Sequence, residues 1–303
     1  MDAGGGIMGA DNADRAVDAF VTHRNLLFTV AYEMLGSAAD AEDVLQETWL
    51  RWADADLPAV RDQRAYLVRI TTRLSLNRLR AVGRRRESYV GSWLPEPLLT
   101  APDVADDIEL AESVSMAMLL VLETLAPTER AVFVLREVFD LAYDEIAEAV
   151  DKSPAAVRQI AHRARAHVAA RRPRGVVSPD ESRRVLRAFQ LALETGDVQG
   201  LLDVLAPDVV LLGDGGGIRQ AVLRPVAGAD KVSRLLCATQ LRVATMALHR
   251  AEVNGHPALI LRLNGALDTV LALRIDDGLI SGVYAVRNPE KLSHLRSETA
   301  LRR

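Results

Sequence analysis

Apolar positions recur every three or four residues across residues 14–87 and 108–170, with an extended, proline-bearing connector at 88–107 between them, and then give way to short alternating runs. This pattern predicts helices in front and a mixed α+β tail. Between Asp40 and Trp52, the residues Ala41, Val44, Leu45, Thr48, Trp49 and Trp52 share one helix face, with Asp43, Gln46, Glu47 and Arg51 off it. Both tryptophans are expected in the core. From Ala65 to Arg86, Leu67, Ile70 and Leu74 face inward, while Arg69, Arg73, Asn77 and Arg80 share the other side and Gly83 ends the helix. Ile108 to Leu125 reads as one helix, and Pro127-Thr128-Glu129-Arg130 starts another. Leu141 to Val168 reads as two short helices joined by a tight turn. Ser153 caps the second, Pro154 suits its first position, and Val157, Ile160, Ala161, Ala164 and Val168 form its stripe.

RRPRGVVSPDES, at 171–182, marks a boundary. Beyond it, helices are expected at Arg183–Glu194, Val198–Leu205 and near Asp230–Thr239. Strands are expected at Asp208–Leu212, near Ala244–Val253, Ala258–Leu263 and Leu267–Ile275, and at Leu279–Val286. Asn254-Gly255 and Asp277-Gly278 are hairpin signals between them. Residues 1–13 are small and glycine-rich and are expected to be disordered.

Composition adds constraints. A chain of 303 residues, 49% hydrophobic, has material for two or three compact units. The net charge of −4 argues against a uniformly basic nucleic-acid binder. The cations are nevertheless segregated into two blocks: Arg78, Arg80, Arg84, Arg85 and Arg86, then Arg158, Arg163, Arg165, Arg171, Arg172 and Arg174. Cys237 has no second cysteine to pair with, which suits a reducing cytoplasm. Neither a signal-peptide layout nor a membrane-length apolar run is present, so no membrane partner is expected.

Each block has a chemical use. A row of arginines neutralises phosphates without reading sequence, and Tyr66 and Tyr89 at its flanks have rings that can stack on unpaired bases or simply pack. In the last helix of the Leu141–Val168 pair, small Ala155 and Ala156 permit close approach, and Arg158 and Gln159 match base edges in a major groove. Taken alone, that face also fits a solvated arginine-rich helix.

The acidic helix DAEDVLQETWLRW, the basic helix ending in an arginine run and the helix-turn-helix, in that order, resemble bacterial RNA polymerase sigma factors of the extracytoplasmic-function class. The resemblance covers roughly residues 18–172. It implies that Asp40, Asp43, Gln46, Glu47 and Arg51 dock on the clamp helices of the polymerase β′ subunit. It assigns melting and reading of the −10 element to Arg73, Asn77, Arg80, Arg84, Arg85 and Arg86. It also implies that Ala155, Ala156, Arg158 and Gln159 face −35 bases, with His162, Arg163 and Arg165 nearer phosphates and region four against the β flap. Asp151 stands where the family's turn carries glycine, and aspartate tolerates the left-handed conformation such a turn needs.

The linker segment WLPEP (Trp93, Leu94, Pro95, Glu96, Pro97) resembles the signature of a subgroup carrying an extra C-terminal SnoaL-like cone with a curved antiparallel sheet. In that subgroup, Asp214-Gly215-Gly216-Gly217 and Asn288-Pro289-Glu290-Lys291-Leu292 form an intramolecular contact with WLPEP. The expected organisation is therefore a tail at 1–13, an all-α sigma region two at 14–90, and a linker at 91–112. An all-α region four follows at 113–173, then an α+β regulatory domain at 179–303.

Asp208, Asp214, His249, Asp268 and Tyr284 are the ionisable candidates for chemistry in such a cone, but no pair among them has a catalytic spacing. The chain is thus expected to be no enzyme and to need no cofactor or metal. Its expected partners are core polymerase, promoter DNA and, optionally, a small ligand in the cone. The competing readings are a one-component helix-turn-helix regulator with a ligand-sensing tail, and an isomerase or cyclase with a DNA-binding half. The acidic helix and the basic helix after it argue against the regulator, which needs neither.

Overall fold

The computed structural model describes residues 5–86, 89–100, 108–171, 177–240, 246–293, 295, 298–299 and 301–302. The chain forms two compact units: Met1–Arg84 with Leu122–Ala170 and Ala300–Arg303, and Arg85–Val121 with Arg171–Thr299.

The first unit is helical. Helix α1 (Gly5–Leu35) packs on α2 (Ala38–Ala53), and α3 (Gln63–Arg86) completes the first core. Leu27, Val30, Ala31, Met34, Trp52 and Leu67 are sealed from water. The Trp52 indole N–H donates to the Ala16 carbonyl at 2.8 Å, which satisfies its one polar atom; Trp49 lies edge-on to Phe20. Ser37 caps α2 by accepting from the Asp40 N–H. Two boundaries differ from the sequence reading. Helix α1 begins at Gly5, inside the glycine-rich stretch, and α3 runs through Gly83 to Arg86. An interior glycine costs a helix only about 1 kcal/mol, which neighbouring turns can carry.

The apolar run at 108–125 is two helices, α4 (Ile108–Val114) and α5 (Met116–Leu122), because Ser115 breaks it and caps the second by accepting from the Met118 N–H. Helix α6 (Pro127–Phe133) continues into a π turn at Val134–Val138. Helices α7 (Tyr143–Val150) and α8 (Pro154–Ala169) form the helix-turn-helix. Asp151 holds its turn in the left-handed conformation, φ 55° and ψ 57°, and Ser153 caps α8. Val157, Ala161, Ala164 and Val168 are buried as the stripe required, with Ile160 half-buried.

The second unit is α+β. Helices α9 (Pro179–Thr195), α10 (Val198–Val204) and α11 (Ala229–Gln240) accompany a six-stranded sheet of order β2-β1-β6-β5-β4-β3. Its strands are β1 (Leu205–Asp214), β2 (Val226–Ala227), β3 (Met246–Val253), β4 (His256–Leu263), β5 (Ala266–Asp276) and β6 (Leu279–Val286). A four-residue helix, α12 (Pro289–Leu292), follows. Asn254-Gly255 and Asp277-Gly278 make the expected turns with positive φ at both residues, and Asn264-Gly265 makes a third that the sequence reading missed.

The sheet is not wholly antiparallel. Strands β3 to β6 form a hairpin meander, whereas β1 arrives from the helical layer and lies parallel to β6 from Val210↔Gly282 to Asp214↔Val286.

Both faces of this sheet are covered. Leu271, Leu273, Ile280 and Val283 meet Phe189, Leu193, Leu201 and Val232 on the helical side. Val270, Ala272, Tyr284 and Val286 meet Leu94, Met116 and Leu292 on the other. The linker is therefore part of the second core, and the unbroken apolar run in β5 is what two-sided burial requires.

Candidate nucleic-acid surfaces and a linker anchor

On α2, Gln46, Glu47 and Arg51 are exposed, and Glu47 pairs loosely with Arg51 at 3.8 Å. Asp40 and Asp43 are engaged: Arg78, reaching over from α3, takes Asp40 at 2.6 Å and Asp43 at 2.7 Å. The acidic strip is thus partly neutralised and oriented by its own unit. Leu50 stands 67% exposed beside it, an apolar residue missed in the sequence because it falls outside the helix stripe.

Along α3, Arg73, Asn77 and Arg80 are exposed as the periodicity required. The side chains of Arg84, Arg85 and Arg86, and Arg172 and Arg174, lie outside the described residues. Arg69 and Arg73 have partners in the helix-turn-helix. The Glu148 carboxylate of α7 takes Arg69 at 3.1 Å, and the Glu148 carbonyl accepts from Arg73 at 2.9 Å. Tyr66 packs between Trp52 and the Arg69 guanidinium, so it is a core-edge ring. Arg130 of α6 is fully buried, its Nε donating to the Glu33 carbonyl at 2.9 Å and its Nη1 paired with Glu123. Burial lowers Arg130 to about 9, which still leaves it cationic at neutral pH.

On α8, Ala155, Arg158, Gln159, His162, Arg163 and Arg165 are exposed and Ala156 is half-buried. Arg165 is held by Glu137 through bonds of 2.7 and 3.1 Å, and Arg163 approaches Glu129 at 3.8 Å. Arg158 lies over the Tyr143 ring at 5.8 Å. Arg158 and Gln159 project from the first turns of α8, where a major-groove helix carries its base contacts.

A dense polar site of the second unit is centred on Asp214, which has no exposed surface. Its Oδ1 accepts from the Tyr89 hydroxyl at 2.6 Å and the Gly216 N–H at 3.0 Å. Its Oδ2 accepts from the Leu94 N–H at 2.8 Å and the Lys291 ammonium at 2.7 Å. Lys291 also donates to the Leu94 carbonyl and lies 4.2 Å from the Trp93 ring centroid and 5.0 Å from that of Tyr89. The Asn288 amide donates to the Tyr89 hydroxyl at 3.0 Å. Burial, then the bond to Asp214, raises the Tyr89 phenol well above its ordinary value.

Gly216 admits no side chain, because a Cβ there would lie 2.3 Å from the Asn288 amide nitrogen. Trp93, Leu94, Asp214, Gly215, Gly216, Asn288 and Lys291 are thus drawn into one site. Pro95, Glu96 and Pro97 are buried beside it, whereas Gly217, Pro289 and Glu290 sit at its edge. A second clamp holds the next residues. Asn254 accepts from the Leu98 N–H at 3.0 Å and donates to the Val114 carbonyl at 2.8 Å. Tyr89 and Asn254 escaped the sequence reading: one looked like a base-stacking ring, the other like a turn residue only.

Of the ionisable candidates for chemistry, Asp208 and His249 are exposed, Tyr284 is buried, and Asp214 is consumed in the anchor. Asp268 lies in the wall of a cavity of about 450 Å³ in the second unit. Burial opposes its ionisation, but hydrogen bonds from Arg287 and Thr269 outweigh this and hold its carboxyl below the ordinary value. A carboxylate so neutralised is a weak base. Among the described residues, no cluster of ligating side chains could hold a metal, and no helix is long and apolar enough to cross a membrane.

Residues 19–85 match Sigma-70 region 2 and residues 115–168 match Sigma-70 region 4, so the two helical surfaces are those of a promoter-directing initiation factor. The chain is 35% identical to the ECF RNA polymerase sigma factor SigJ of Mycobacterium tuberculosis, over 91% of this chain and 93% of that protein. It is 36% identical to a probable ECF RNA polymerase sigma factor, SigI, of the same organism, over 92% and 96%. The crystal structure of SigJ superposes with a TM-score of 0.75 at 33% identity, covering 92% of this chain and 99% of that one. The chain belongs to the extracytoplasmic-function RNA polymerase sigma factors, in a form with a C-terminal α+β domain.

Proposed function

We propose that this sigma factor rests in a closed state, with the helix-turn-helix occupying its own −10 surface, and that its C-terminal domain sets how readily it opens. The observation carrying this reading is the double engagement of Glu148 with Arg69 and Arg73. The −10 and −35 elements lie 25 positions apart, or about 85 Å along B-form DNA at 3.4 Å per step. Surfaces joined by a 3.1 Å ion pair cannot occupy both elements at once, so this contact opens before initiation.

In the open form, Gln46, Glu47, Arg51 and exposed Leu50 face the β′ clamp helices, with Asp40 and Asp43 ordered behind them by Arg78. Arg73, Asn77, Arg80 and Arg84 to Arg86 take the −10 strand. Ala155, Ala156, Arg158 and Gln159 read −35 bases, with His162, Arg163 and Arg165 on phosphates, and region four rests on the β flap. The C-terminal domain acts without catalysis. By fixing residues 89–100 through Asp214 and Asn254, it shortens the free tether between regions two and four. A small ligand in its cavity is the natural input.

Run-off transcription with core polymerase tests the assignment. The full chain should give a promoter-specific transcript, and Arg158→Ala with Gln159→Ala should lose it while keeping polymerase binding. No specific transcript from the full chain would sink the proposal.

A further inference from the structure

The cavity of the C-terminal domain is lined by apolar side chains apart from Gln220, Asp268, Thr269 and Arg287. Leu211, Leu235, Leu248, Leu261 and Leu271 line its body, and its volume falls within the roughly 300–1,000 Å³ range of small-molecule sites. Its polar group is the ion pair of Arg287 and Asp268, joined by three hydrogen bonds of 2.8 to 3.1 Å. Thr269 donates to the same carboxylate at 2.6 Å, and Arg287 also donates to the Gln220 carbonyl. Asp268 is 8% exposed. The nearby cation Arg219 is exposed and screened by water.

We propose that this cavity binds a small neutral molecule with an apolar body and one hydroxyl or carbonyl head, and that its occupation is transmitted to the linker anchor. A charged head would meet a like charge at one member of the pair. A neutral head can accept a remaining guanidinium N–H or donate to the carboxylate without breaking the pair.

Transmission follows from shared residues. Gly213 lines the cavity and Asp214, next to it, is the centre of the anchor. The backbone N–H of Arg287 donates to the Asp214 carbonyl at 2.7 Å, and that of Asn288 does so at 3.0 Å. Gln220, Ala221 and Val222, which also line the cavity, come two residues after the Gly215–Gly217 loop. This second half of the proposal rests on the regulatory reading above; the binding half does not.

Three ten-carbon probes with a neutral, an anionic and a cationic head test it on the full chain: 1-decanol, decanoate and decylammonium, by isothermal titration calorimetry. Decanol should bind at least tenfold more tightly than either charged probe. Leu261→Trp, which fills the cavity, should lose that binding, with the circular dichroism of the unliganded fold unchanged. Asp268→Asn, which leaves the guanidinium without its counter-charge, should shift preference to decanoate by tenfold or more. Saturating decanol should change amide exchange of residues 93–98 at least threefold in the wild type and not in Leu261→Trp. Equal binding of all three probes, undiminished binding to Leu261→Trp, or no binding of decanol up to its aqueous solubility limit overturns the ligand class. Binding without altered linker exchange overturns the transmission alone. Neither result depends on transcription, so failure of the sigma-factor reading stays distinguishable.

Discussion

At the residue scale, charges placed where no water reaches them decide most. Asp214 balances the Lys291 ammonium, itself 6% exposed, and its four acceptor bonds gather three separate sequence motifs. Asp214→Asn should cost the second unit about 3–5 kcal/mol, the penalty for stranding one member of a buried pair. Amide exchange of β5 and β6 in the full chain across a urea series, which reads the second unit apart from the first, measures it. Asp268 sets a pH dependence of definite sign. Its folded pKa lies below the unfolded value of about 3.9, so its stabilisation is complete above that pH and is lost as pH falls through the folded value. Unfolding midpoints between pH 5 and pH 2 should therefore fall less steeply for Asp268→Asn than for the wild type. Neither role was legible at this scale. WLPEP, DGGG and NPEKL were legible as motifs, but nothing in the order of residues tells that Tyr89 serves Asp214 rather than DNA.

At the scale of elements, the sequence pattern carried the helices and the meander well. Period and caps agree for α2 and α8, and the Asn-Gly and Asp-Gly pairs locate two hairpins within a residue or two. The failures share a cause. The run at 108–125 keeps apolar residues at helical spacing from end to end, so only Ser115 turning its hydroxyl back on the chain splits it. The parallel β1–β6 pairing joins residues about 70 apart, which no local signal encodes. The helix-turn-helix turn is the informative case, because Asp151 pays a left-handed strain that glycine would not. Asp151→Gly should stabilise the turn by up to about 1 kcal/mol, and Asp151→Val should destabilise it by about 1–2 kcal/mol. Amide exchange of α7 and α8 reads both changes.

For the whole molecule, the question is how a chain with two DNA-binding surfaces keeps them from acting alone. Exposed ion pairs contribute at most about 1 kcal/mol, so the Arg69–Glu148 pair shifts a balance rather than locking it. Glu148→Ala should accordingly raise run-off transcription two- to fivefold at limiting sigma factor, an increase absent when the factor saturates polymerase. The bond from buried Arg130 to the Glu33 carbonyl also joins region four to region two and must part on opening.

The closed-to-open account is tested most directly by an electron–electron distance between spin labels at Gln63 and Asp144, both exposed and outside the proposed contacts, with Cys237 replaced by serine. The free protein should give a predominantly short-distance population. Addition of core polymerase and promoter DNA should move it beyond about 50 Å, as the spacing of the two promoter elements demands. An unchanged short distance in a transcribing complex, or a long distance already predominant in the free protein, would contradict the account.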